Sequence, residues 1–355
     1  MNKKYSELAE LFRSEKTDEE ILDFLLNYHK NDIADMMAGM TEEERKRLYH
    51  LLGAQKVAEI FKYIEEPRKY IRELSVESAA RVISEMDSDD AVDLLEDLDP
   101  EEKEQIVRML DEDAKKDVKM LLSYDEEEIG SCMTTNYICI PENLTIRQAM
   151  SELVKQAGEN DNIMTIYVVD EKGVFAGAID LKDLIRAREN AHLEDLVLKS
   201  YPYVTDHEKI DDCMDRILDY AEDSIPVLSE DKKILGVITS EDLIEMVDNE
   251  MGEDYAKLAG LTAEEDLKEP TLQSMKKRLP WLIILLFLGM AVSSVVGLFE
   301  NVVAVLPIVI CFQSLVLDMA GNVGTQSLAV TIRVLMDENL TGKQKFQLVV
   351  KEVKT

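Results

Sequence analysis

The sequence predicts a multidomain protein. An all-α superhelical N-terminal domain precedes a tandem α/β pair, a connector helix and an α-helical transmembrane segment. Three observations predict this. Apolar residues recur at three and four spacing through residues 1–129. A strand–helix–strand–turn–strand–helix order occurs twice between residues 130 and 250. Leu279 to Phe299 is then uncharged for 21 residues, long enough to cross a bilayer.

In the helical region, Ile21, Leu22, Leu25 and Leu26 form one apolar stripe, and Val92, Leu94, Leu95 and Leu98 another. Helix starts are marked. Thr41 with Glu44 has the spacing of a capping box. Asp99-Pro100-Glu101-Glu102 sets an N-cap, an N1 proline and an N3 acid in order. The stretch Asp35 to Glu44 is echoed by Asp93 to Glu102. Short helix pairs repeated in this way stack as a small solenoid.

From Ser131 the period changes. Tyr137 to Ile140 reads as a strand and the helix after it starts near Thr145. Met164 to Asp170 is an apolar strand, closed by a turn at Glu171-Lys172-Gly173. Phe175 to Asp180 runs into a helix at Lys182-Asp183-Leu184-Ile185. The order then returns, with Tyr203 to Thr205, a helix, Ser224 to Leu228, a turn at Asp231-Lys232, and Ile234 to Thr239 leading into Glu241-Asp242-Leu243-Ile244. Gly177 and Asp183 are six apart, as are Gly236 and Asp242, which marks an internal repeat.

The expected boundaries are 1–129 for the acidic helical domain, 130–192 and 193–250 for the two α/β units, and 251–276 for the connector. Two membrane helices occupy 277–337, at 279–299 and about 302–332, and 338–355 forms a tail. Pro270 breaks the connector before the membrane. Lys276, Lys277 and Arg278 precede the first span, and Arg333, Lys343 and Lys345 follow the second. The positive-inside rule then puts both ends in the cytoplasm.

Charge is uneven. The chain holds 73 acidic and 40 basic residues, net −33. Beyond Thr271 there are 8 basic and 5 acidic residues, so the first 271 residues carry a net −36. Such a surface repels nucleic-acid phosphates and attracts cations. Nucleic acid is therefore excluded as a partner. Cys132, Cys139, Cys213 and Cys311 form no C-x-x-C pair, and no zinc spacing is present. Scattered thiols suit a reducing compartment. The N-terminus lacks the apolar core of a signal peptide. No phosphate-binding glycine loop or nucleophile–base pair is visible, and His29, His50, His192 and His207 lie apart. This points away from an enzyme, with no catalytic residues to name.

The repeated unit resembles the CBS domain, a regulatory module named after cystathionine β-synthase. Its second copy, Gly236-Val237-Ile238-Thr239-Ser240-Glu241-Asp242, matches that family's order of Gly, Ser/Thr and Asp. The first copy has Asp180 in place of the Ser/Thr. The resemblance implies a tandem CBS pair. It also implies an adenine nucleotide such as ATP as a ligand, held by Lys182 and Asp183 or by Thr239 with Asp242. A helix N-cap is the competing reading of Thr239 and Asp180.

The whole order is similar to that of MgtE-type magnesium channels. Gly321-Asn322-Val323-Gly324-Thr325-Gln326-Ser327 resembles a stretch of that family's second membrane helix, and Phe299-Glu300 the end of its first. The resemblance implies a multi-pass protein of the cytoplasmic membrane with its N-terminal domains in the cytosol. It implies a homodimer in contact with membrane lipid, a connector acting as a plug helix, and divalent cations, Mg²⁺ first, as ligand and cargo. Gly321, Asn322, Gly324, Thr325 and Gln326 become pore-lining candidates; helix-packing glue is the alternative for such small and amide residues. The family has five membrane helices and its main pore carboxylate lies on the last. This chain reaches Thr355 soon after the second, so the pore is expected to be incomplete in this polypeptide.

Mg²⁺ is held by one or two carboxylates plus water. By position the resemblance implies Asp89 and Asp93 on the helical domain. It implies Asp211, Asp242 and Glu245 on the CBS side, and Glu250, Glu253 and Asp254 on the connector. Asp89 and Asp93, four apart, share a helix face. Singly each could be a solvated acid; as a set facing one gap they suit cation sensing. The expected function is Mg²⁺ transport gated by internal Mg²⁺. The alternative is a membrane-tethered CBS protein that senses adenine nucleotide.

Overall fold

The computed structural model describes residues 17–64, 66–158, 160–188, 191–258, 260–261, 270–299, 305, 307–336 and 342–354. Two compact units result, Met1–Leu243 and Ile244–Thr355.

The first unit opens with helices α1 (Asp18–Leu25), α2 (Lys30–Met37), α3 (Glu42–Phe61), α4 (Pro67–Ile71), α5 (Val76–Ser84), α6 (Ser88–Glu96), α7 (Pro100–Met109) and α8 (Glu112–Leu121). The expected caps form. Glu44 N–H donates to the Thr41 hydroxyl and Thr41 N–H to the Glu44 carboxylate. Asp99 N–H donates to Glu102 in the same way, with Pro100 at N1. Helices pack mostly on their second neighbours: α1 on α3, α3 on α5, α5 on α7 and α6 on α8. The buried stripe holds Leu48, Ile83, Leu94, Leu95 and Leu121. Within it, Arg45 and Glu73 pair almost fully buried, and Arg45 also donates to the Met37 carbonyl. The Arg45 guanidinium is thus satisfied where a lone charge would be costly.

Two three-stranded sheets follow. In one, β1 (Ile138–Pro141) runs parallel to β2 (Thr165–Val169), which pairs antiparallel with β3 (Phe175–Asp180). α9 (Ile146–Gln156) and α10 (Leu181–Arg186) accompany it. In the other, β4 (Val204–Thr205) runs parallel to β5 (Ser224–Leu228), and β5 antiparallel to β6 (Ile234–Thr239), with α11 (Ile210–Tyr220) between β4 and β5. The repeat extends to detail. Each sheet carries a register shift at the same place, Val168/Val169 and Val227/Leu228.

The sheets lock through a buried aromatic seam. Tyr167 packs among Tyr137, Phe175 and Tyr201. Its hydroxyl lies 2.6 Å from Ser224 Oγ, and Tyr201 Oη donates to the Ser224 carbonyl at 2.7 Å. The repeat glycines sit where the chain of the other copy crosses. Gly177, at φ +150°, lies against the backbone of Leu198, and a Cβ there would fall 2.5 Å from the Leu198 carbonyl oxygen. Gly177→Ala should therefore destabilise the first unit by about 1–3 kcal/mol, read as a drop in the midpoint of urea unfolding at unchanged slope. A change below a few tenths of a kcal/mol would contradict the close approach.

α12 (Ser240–Leu258) starts in the first unit and runs unbroken past 250, the position expected to divide the second α/β unit from the connector. No proline interrupts it, and Ile244, Val247 and Met251 continue its apolar spacing. In the second unit, α13 (Thr271–Leu298) has Pro270 as its N-cap and begins eight residues before the uncharged run. Among the described residues, one helix is long and apolar enough to cross a membrane, and it is α13. It has no buried residue. Its apolar girdle of Leu282, Leu286 and Phe287 is exposed, as suits a helix built for lipid or for other apolar helices. α14 (Pro307–Met336) covers most of the second expected span, whose residues 302–304 and 306 lie outside the described ones. α15 (Gly342–Lys354) ends the described chain.

Candidate functional site

The acidic helical domain meets the α/β pair through the N-terminal turn of α6. Asp87 holds the N-cap position but makes no capping hydrogen bond there. Its carboxylate instead accepts from Asn136 Nδ2 at 2.7 Å. Ser88 Oγ accepts from Thr135 N–H at 2.9 Å, and Thr135 Oγ1 donates to Asp117 at 2.8 Å. These bonds fix the first turn of α6, with its acids, against residues 134–136.

Beside this contact is a cavity of about 220 Å³. Acids from both sides line it: Glu59, Glu85, Asp87, Asp89 and Asp90 from the helical domain, and Asp161, Glu241 and Asp242 from the α/β pair. The lining lysines among the described residues are Lys30 and Lys62. Lys30 pairs with Glu59 at 2.9 Å. Lys62 Nζ lies 3.2 Å from Glu241, 3.6 Å from Asp87 and 3.9 Å from Asp90.

Electrostatics single out the centre. Asp89 is half-buried, but its Oδ1 is sealed from solvent and has no hydrogen-bond partner. Burial, then the charges of Asp242, Asp90 and Asp87, hold its carboxyl well above the usual carboxylate range. Burial likewise pushes Asp90 up to about 7; Lys62 opposes this, and Asp87, Asp242 and Asp93 add to it. Asp242 is also raised by burial, although it accepts a 2.7 Å bond from Thr239 N–H. The Cys132 thiol goes up to about 11, through burial first and then through Asp93, Asp242 and Asp89.

Among the described residues no three carboxylate, thiol or imidazole groups stand close enough to form a ready metal cage. A single water needs roughly 10–15 Å³ of such space, so the cavity of about 220 Å³ has room for several waters beside Asp89 and Asp242. The orphaned Asp89 Oδ1 is an acceptor that such a water would satisfy.

Of the residues singled out by sequence, the structure brings Asp89 and Asp242 to one cavity, and Asp93 lies one turn along α6 from Asp89. Asp211 is exposed in the first turn of α11 and does not line the cavity. Glu245 is exposed on α12. Glu250, Glu253 and Asp254 lie farther along α12, and their side chains are outside the described ones. Thr239 and Asp242 cap reciprocally, Asp242 N–H donating to Thr239 Oγ1 at 3.3 Å. Lys182 and Asp183 are exposed on α10. Gly321, Asn322, Gly324, Thr325 and Gln326 lie exposed along α14, where the Thr325 hydroxyl donates to the Gly321 carbonyl one turn back. Sequence reasoning missed Lys62, Asp87, Asp90 and Glu241. The run Asp87-Ser88-Asp89-Asp90 at a helix start was the available signal for two of them.

A separate cavity of about 500 Å³ lies in the second α/β unit, lined by Lys199, Tyr203, Thr205, Arg216, Tyr220 and Ile225. It combines aromatic faces with two cations.

An acidic helical domain docked on tandem α/β repeats, in a chain that also carries a membrane-type helix, defines a regulatory module of a membrane protein. Residues 28–127 match the MgtE intracellular N domain, and residues 127–190 and 193–249 match the CBS domain. The chain is 38% identical to the magnesium transporter MgtE of Enterococcus faecalis over all of its length and 79% of that protein. It is 31% identical to the Bacillus subtilis magnesium transporter MgtE, spanning about half (52%) of that relative. A crystal structure of the soluble part of a magnesium transporter aligns with TM-score 0.66 at 30% identity, over 70% of this chain and 98% of that one. The cytosolic domain of the Mg²⁺ channel MgtE in complex with ATP aligns with TM-score 0.61 at 26% identity, over 68% and 99%. This chain belongs to the MgtE magnesium transporter family.

Proposed function

We propose that this chain serves Mg²⁺ transport across the cytoplasmic membrane and that its acidic helical domain and CBS pair sense internal Mg²⁺. The observation that carries the reading is the sealed, unpartnered Oδ1 of Asp89 in a cavity that Asp242 lines from the other side. Two like charges so placed oppose docking until a cation bridges them. Mg²⁺ therefore stabilises the docked state by its differential affinity for it, and loss of Mg²⁺ releases the helical domain. In this reading α12 with its acids Glu245, Glu250, Glu253 and Asp254 begins the plug connector, and the second-neighbour stacking of α1–α8 makes the helical domain a short superhelix. α13 and α14 lie in lipid with Gly321 to Gln326 toward the pore, and a second copy of the chain is the partner.

The test uses the full chain in detergent micelles, with spin labels at the exposed Glu101 and Lys155. Millimolar Mg²⁺, but not K⁺ at matched ionic strength, should shorten and narrow the distance distribution. An identical response to both salts would leave the acids as a solubility feature.

Adenine nucleotide is the second ligand we infer. The cavity between Tyr203 and Tyr220, with Lys199 for a phosphate and Arg216 beside it once it leaves Glu208, favours it over the capped Thr239–Asp242 site.

A further inference from the structure

The cavity between the helical domain and the CBS pair already contains a cation of its own. Lys62 follows α3 as its C-cap, and its side chain reaches into the gap rather than into solvent, with 29% exposure. The ammonium bridges the two sides: Asp87 and Asp90 belong to the helical domain, and Glu241 belongs to the second CBS repeat. Burial by itself would lower the affinity of Lys62 for its proton, and Asp90, Asp87 and Glu241 together overcome this and raise it. The charge is therefore fixed throughout the physiological range. The other lining lysine, Lys30, is engaged with Glu59 on the helical domain alone.

We propose that Lys62 is a tethered counter-ion that holds the helical domain against the CBS pair when no divalent ion is bound, and so limits how far the sensor opens. The proposal rests on the reading of this gap as the Mg²⁺ sensor and adds its set point. Lys62 differs from Mg²⁺ in being a single positive charge on a flexible stem that cannot leave. It neutralises Asp87, Asp90 and Glu241 in part and eases Asp242 more weakly, while the charge of Asp242 still weighs on Asp89. The docked arrangement is then biased but not saturated, and the mobile ion supplies the remainder. Without Lys62, neutralising the acids of the gap falls to Mg²⁺, beside the hydrogen bonds from Asn136 and Thr135 to the helical domain.

The experiment compares the full-length chain with Lys62→Gln and Lys62→Arg, using the Glu101 and Lys155 labels in metal-free buffer and in 10 mM Mg²⁺ (roughly the millimolar concentrations at which weak carboxylate sites fill). In metal-free buffer Lys62→Gln should move to longer distances than wild type, at least doubling the Mg²⁺-driven change in mean distance, while Lys62→Arg keeps the wild-type distribution. A Lys62→Gln chain as docked as wild type without metal overturns the proposal. If wild type ignores Mg²⁺, the sensing reading fails, yet the metal-free distances still judge Lys62. Should Lys62→Gln not fold, as judged by circular dichroism, Glu241→Gln removes the same bridge from its exposed end, and opening or its absence there decides the matter.

Discussion

Asp89→Asn should dock the helical domain on the CBS pair without any Mg²⁺. In the native chain Asp89 loses hydration on docking, gains no hydrogen bond at Oδ1 and meets the charges of Asp242, Asp90 and Asp87. Each of these costs the docked state. The amide removes the charge, and its NH₂ group can donate to Asp242. The expected gain for the docked state is about 2–4 kcal/mol, the scale on which buried unpaired charges destabilise. That corresponds to roughly a hundredfold change in the open-to-docked ratio. The spin-label distances of Asp89→Asn in metal-free buffer should coincide with those of wild type in Mg²⁺, and added Mg²⁺ should change them little. Asp113→Asn, the same change of charge at an exposed position on α8, should respond like wild type. If Asp89→Asn opens further in the absence of metal, Asp89 is an anchor for docking and not the source of repulsion, and the sensing argument falls.

The parts of this molecule that were legible in sequence are those written in local patterns. The capping boxes at Thr41 and Asp99 are set by residues three apart. The two sheets follow from a repeat that places Gly177 and Gly236 six residues before an aspartate each. Asp89, Asp93 and Asp242 were reached by family resemblance, and the structure places Asp89 and Asp242 in the lining of one cavity. The contribution of Lys62 and Glu241 was not legible, because no local rule pairs residues so far apart; only docking puts the end of α3 against the start of α12. The continuity of α12 through 250 was hidden for a different reason. The α/β repeat ends there, which resembles a domain edge, while the apolar spacing beneath it does not change.

Protons should imitate Mg²⁺ at this site. In the docked state burial holds Asp90 at about 7 and Asp89 well above the carboxylate range. Release removes the Asp242 charge and the burial that the CBS side contributes, so both fall from there toward the ordinary value of 3.8, while Asp87 stays beside them on the helical domain. A carboxyl whose pKa is raised by docking binds its proton more tightly in the docked form, so docking is favoured as pH falls. For Asp90 this gain is absent above about pH 7, grows as pH drops through 7 and is complete only below the ordinary value. Metal-free chain should therefore move toward the docked distance between about pH 8 and 5.5, and saturating Mg²⁺ should flatten the curve, since the ion already neutralises the gap. His207 acts in the same sense. Its hydrogen bond to Glu128, chiefly, raises its pKa above 6.5, so its stabilising contact is present at low pH and lost as pH rises. His207→Gln separates the two sources: the pH response persists if the aspartates carry it and vanishes if the imidazole does. A metal-free chain that opens on acidification would contradict the burial of Asp89 and Asp90, and with it the reason a cation is needed at all.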